Sequence, residues 1–123
     1  MSFALAQYRS TKTATASPVR VLVQLYEAAI RFLHEGADAI EAKDYKTKGE
    51  RLGKAHRIVT ELQASLDEQH APELCQQLSA LYDFCLSRIS HGNAKLDAAA
   101  VREAAKILSE LHAGWREIAA QVG

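Results

Sequence analysis

Cysteine, proline and glycine are all scarce in this 123-residue chain, at two, two and six residues. Two cysteines exclude a disulfide-dense scaffold. Cys75 and Cys85 fall ten positions apart on one expected helix, about 15 Å by its rise, too far to bridge. Free buried thiols suit a reducing compartment. With so few breakers, and with alanine, leucine, glutamate, lysine and arginine plentiful, the composition favours helices. Neither sign of charge is in excess. Fifteen basic residues balance fifteen acidic ones, so nothing global steers the chain to nucleic acid or an anionic membrane. No stretch approaches the ~18 apolar residues of a membrane span, which argues against membrane insertion. Met1–Arg9 has neither the basic start nor the apolar core of a secretory signal. The expectation is one cytoplasmic domain with a single core.

The motifs of chemistry are missing as well. A di-iron bundle needs Glu-x-x-His on facing helices. The nearest approach, Asp67-x-x-His70, falls at a turn. No Cys or His pair has metal-ligand spacing, and no cofactor is expected. No catalytic triad, phosphate-binding glycine loop or rigidly held carboxylate pair is found, so no enzyme is expected. Lys43, Lys46, Lys54 and Arg57 share one helix face, but no aromatics interleave to stack bases. A solvated face is the better reading. His56 raises a second alternative, a histidine phosphotransfer module. Such modules resemble one another in a His-x-x-Lys-Gly run, whereas Arg57-Ile58-Val59-Thr60 follows here. A flanking, solvated histidine accounts for it.

What is present is four helical patterns. The first, Ser17 to Ala42, opens with Ser17 as N-cap and Pro18 at the first helical position. Its apolar stripes, Leu22-Tyr26-Ile30-Leu33-Ala37-Ile40 and Val21-Leu25-Ala28-Phe32-Gly36-Ala39, lie side by side. Together they cover roughly 220°, against the ~100° of a one-sided helix. This predicts the central helix of a bundle, with apolar surface to spare. Asp44 caps a second helix reaching to about Asp67, with Leu52, Ala55, Ile58, Val59, Leu62 and Leu66 on its stripe. Its first half, with Gly49 and Gly53, is thin in core residues and expected to be the least stable part. Pro72 starts a third helix with the stripe Leu74, Leu78, Leu81, Tyr82, Cys85 and Ile89, expected to stop at Gly92-Asn93. Phe84 falls off that stripe. Asp97 caps a fourth, with Val101, Ala104, Leu108, Leu111, Trp115 and Ile118. Short turns between them predict an all-α, antiparallel up-down four-helix bundle over 17–123. Residues 1–16 precede it as a separate segment: Phe3, Leu5 and Tyr8, then an unpatterned connector from Ser10 to Ala16.

Several of these residues, in this order, resemble the flagellar export chaperone family FliS. The matches stand as Leu5-x-x-Tyr8, Ser17-Pro18, Leu25-Tyr26, Lys48-Gly49-Glu50-x-Leu52-x-Lys54-Ala55-x-x-Ile58, Leu66-Asp67, Leu81-Tyr82-Asp83, Arg88, Asn93 and Trp115. The resemblance runs from Tyr8 to Trp115, nearly the whole chain. Val19-Arg20 departs from the acidic or amide residues common after Ser-Pro in the family. Cys85 and Leu86 stand where bulkier residues are common. The resemblance implies a cytoplasmic chaperone that holds the disordered C-terminal segment of flagellin, prevents premature polymerisation and delivers it to the flagellar type III export gate.

The residues are compatible with that role. An amphipathic client helix would lay its apolar face in grooves on the bundle. Apolar walls on helices one to three make Leu22, Tyr26, Ile58, Leu62 and Tyr82 the candidate flagellin contacts, in direct competition with a core role. A tyrosine in such a wall can bury its ring and keep its hydroxyl wet. The resemblance further implies that Leu5 and Tyr8 form a lid or an export-gate contact. A structural bundle whose spare apolar face binds its own copy, a homodimer, remains the other alternative.

Overall fold

The computed structural model describes residues 17–122. Phe3, Leu5 and Tyr8 lie outside them. Four helices follow in order: α1 (Pro18–Glu41), α2 (Tyr45–Ala64), α3 (Pro72–Lys95) and α4 (Ala98–Val122). Each packs on two neighbours, α1 and α3 both against α2 and α4, so the described part is an all-α bundle. The expected centrality of α1 takes a different form. It sits at a corner like the other three, and its broad apolar arc is divided between α2 and α4. Arg20, Gln24, Glu27, Arg31 and Asp38, the narrow polar strip of the sequence pattern, are all exposed.

The helix starts follow their caps. The Ser17 hydroxyl accepts from the Arg20 amide at 3.3 Å, Asp44 accepts from Thr47 at 3.2 Å, and Asp97 accepts from Ala100 at 3.2 Å. Each satisfies an amide that the first turn leaves unpaired. The α3 helix has no side-chain cap; Ala71 precedes Pro72 in a left-handed conformation, φ 60°. The expected stop at Gly92-Asn93 is overrun by three residues. A β-carbon at Gly92 would lie 2.5 Å from Val101 Cγ2, so this glycine lets α3 and α4 approach closely. The helix ends instead at Lys95, capped by Leu96, itself left-handed, with the Asp97 amide bonded back to the Gly92 carbonyl.

The first half of α2 is pinned despite its polar composition. Leu52 is buried in the space left by Gly36 of α1, where a β-carbon would overlap it. Lys48 Nζ donates to the Asn93 carbonyl at 3.1 Å, and Arg51 pairs with Glu35 at 2.9 Å.

Candidate functional site

The antiparallel order brings the start of α1, the end of α2, the start of α3 and the end of α4 to one end of the bundle. There the core does not close. A cavity of about 410 Å³ opens among Leu22 of α1, Leu62 near the end of α2, Leu66 just beyond it, Leu74 and Leu78 of α3, and Ile118 of α4. Its wall is mostly apolar, with Asp67 and His70 on the α2–α3 turn as its polar edge. Leu74 is 47% exposed and Ile118 43%. Both belonged to stripes expected in the core, and Leu81, also assigned there, is exposed as well. The correction has one cause. Helical periodicity reports that a face is apolar, not that a neighbouring helix covers all of it.

Three of the five candidate contacts meet at this cavity: Leu22, Leu62 and Tyr82. Tyr82 and Leu62 are almost wholly buried and offer the cavity only an edge. Tyr26 lies behind Tyr82, fully buried. The two rings are 6.4 Å apart and tilted by 52°, and their hydroxyls share a 2.5 Å hydrogen bond across the bundle diagonal. The expectation of wet tyrosine hydroxyls is therefore corrected: each is the other's partner. Burial raises both phenols above the ordinary tyrosine range, offset in Tyr26 by the Tyr82 hydrogen bond and the nearby Trp115 indole. Ile58 is half-buried against the core and does not reach the cavity.

Leu66, Leu74, Leu78, Trp115 and Ile118 are the cavity residues that sequence reasoning placed in the core. Their signal was position: each lies within two turns of a helix terminus, and these termini share one end. The α2–α3 turn is tied down by Asp67, whose carboxylate meets His70 Nδ1 at 2.7 Å and is held below the usual carboxylate range by it. Cys75 donates its thiol to the Asp67 carbonyl at 3.3 Å. Cys85 is deep in the core, its thiol pushed up to about 12 by burial, so it stays protonated and inert.

Among the described residues no His, Cys, Asp and Glu group is placed to hold a metal ion, and no helix is long and apolar enough to cross a membrane. His56 is half-buried on α2, its carbonyl accepting from Thr60 at 2.9 Å.

The described residues thus form a helical bundle with an apolar cavity open at one end. The chain belongs to the FliS family, matching the family described as "Flagellar protein FliS" over residues 1–122. It is 31% identical over 108 residues to the flagellar secretion chaperone FliS of Vibrio cholerae, covering 88% of this chain and 79% of that one. Identity to the flagellar secretion chaperone FliS of Salmonella typhimurium is 33% over 105 residues, covering 85% and 78%. A solved structure described as a flagellar chaperone from bacteria superposes with a TM-score of 0.77 at 22% identity, over 94% of each chain, a likeness of fold. The family is one of chaperones, not enzymes.

Proposed function

We propose that this protein binds the C-terminal segment of flagellin in the cytoplasm, keeps it from polymerising early and presents it to the flagellar type III export gate. The observation that supports this most is the apolar cavity, with Leu74 and Ile118 half in solvent at its mouth. Exposed leucine and isoleucine beside an unfilled apolar hollow suit an amphipathic helix that folds as it docks. Leu22, Leu62 and Tyr82 would meet the client; Tyr26 would act through Tyr82, and Ile58 from the adjoining α2 surface. Residues 1–16 are proposed to shield the same cavity through Leu5 and Tyr8 until a client arrives.

The test is direct. Purified chaperone is titrated with flagellin, full-length and shortened by its last few dozen residues. Loss of binding on truncation is the expected result, and equal affinity would sink the proposal. Leu74→Asp, a change at an exposed position, should abolish binding with little effect on the unfolding midpoint.

A further inference from the structure

On the outer side of α1 and α4, polar contacts tie the two helices together at two places along their seam. Glu27 meets His112 Nε2 at 3.0 Å. Further down, Arg102 reaches Asp38 at 2.7 Å and Glu41 at 2.5 Å. The pattern breaks at the cavity end. There Arg20 of α1 and Arg116 of α4 line one concavity of about 390 Å³, floored in part by Ala119. Both arginines are exposed, and neither has an acidic partner among the described residues. Glu27, the one carboxylate on the rim, is engaged with His112. Two guanidinium groups thus border one hollow and give it a surplus of positive charge.

We propose that this notch binds a carboxylate side chain of the same client segment whose apolar face fills the cavity, a claim that rests on the function proposed above. Charge complementarity selects the occupant. A carboxylate entering the hollow is attracted by both guanidinium groups and can accept their N–H bonds, which a basic group cannot. Residues 1–16 of this chain carry Arg9 and Lys12 and no acid, so that segment does not supply the missing charge. Position supports the link to the client. Arg20 adjoins Val19, and Arg116 adjoins Trp115, both in the cavity wall, so one segment spans the two sites within a turn of each helix.

The test uses the full chain and a peptide of the flagellin C-terminal segment from the same organism. At low salt Arg20→Gln with Arg116→Gln should weaken peptide binding about three- to tenfold. At ~1 M salt, where the screening length is ~3 Å, variant and wild type should converge. The unfolding midpoint of the double variant should hold, since both side chains are exposed and engage no acidic group. Unchanged affinity at low salt, with Leu74→Asp still abolishing binding, overturns the notch and leaves the cavity reading standing. If Leu74→Asp also binds as wild type does, both readings fail. Should the arginine changes alter self-association and leave peptide affinity untouched, the notch is a contact between copies and the proposal is wrong.

Discussion

Single residues decide how firmly the cavity is backed. The Tyr26–Tyr82 hydroxyl pair is buried; the Tyr82 oxygen relies on Tyr26, whereas the Tyr26 oxygen also has the Trp115 indole nearby. Removing one partner strands the other without water, which costs ~1–3 kcal/mol, whereas removing both is nearly neutral. Tyr26→Phe, which leaves the Tyr82 hydroxyl without its partner, should therefore destabilise more than the Tyr26→Phe/Tyr82→Phe double change, as a chemical-denaturation cycle will show. The same pair sets an alkaline limit. Both folded-state pKa values are raised, so the folded chain keeps protons that the unfolded chain releases above about pH 10. The pair's contribution is complete below that pH and shrinks as pH rises further. Cys85, pushed up to about 12, acts with the same sign from about pH 8.5. The unfolding midpoint should thus fall on the alkaline side, and more gently in the double phenylalanine variant. Leu33, with no exposed surface at the heart of α1, should cost ~2–5 kcal/mol as Leu33→Ala.

Helices meet where the sequence put its small residues, and this is where element-level reasoning both worked and slipped. Gly36 admits Leu52, and Gly92 admits Val101, so Gly36→Ala should destabilise by ~1–3 kcal/mol through overpacking. A β-carbon at Gly49 meets nothing within 4 Å. Gly49→Ala should instead stabilise by about 0.5–1 kcal/mol, because alanine is the better helix former. A pair of thermal melts with opposite shifts distinguishes the two kinds of glycine. The four helices, their caps at Ser17, Asp44 and Asp97, and the start at Pro72 were legible because each rests on local chemistry. The end of α3 was not, because glycine serves both as a helix stop and as a helix-crossing residue, and only the approach of α4 selects between them. The cavity was half legible for a similar reason. Leu22, Leu62 and Tyr82 carried an apolar signal that the structure gathers at one place. Leu74 and Ile118 carried the same signal, and nothing in the sequence says that no helix covers them.

The molecule as a whole carries an apolar hollow on one end, and such a hollow in a free chaperone invites self-association. Leu5 and Tyr8 precede Pro18, which lines the cavity together with Val19, by ten to thirteen positions. An extended chain of that length spans up to ~30–45 Å, ample to bring Tyr8 back over the cavity mouth. Each large side chain buried there contributes only ~1.5–3 kcal/mol before the entropy of ordering its backbone is subtracted. Such a cover is weak enough for a client with many contacts to displace. Deleting residues 1–15 separates the two roles proposed for this segment. A cover predicts that the shortened protein binds more apolar dye or self-associates, while its affinity for the flagellin segment is unchanged or higher. If the free protein is unaltered and only client binding weakens, residues 1–15 belong to the client site and the cover does not exist. Tyr8→Ala alone does not discriminate, since the same ring could serve the cavity, the client or the export gate in turn. The deletion should leave the bundle itself intact, because the buried residues of all four helices form one apolar cluster.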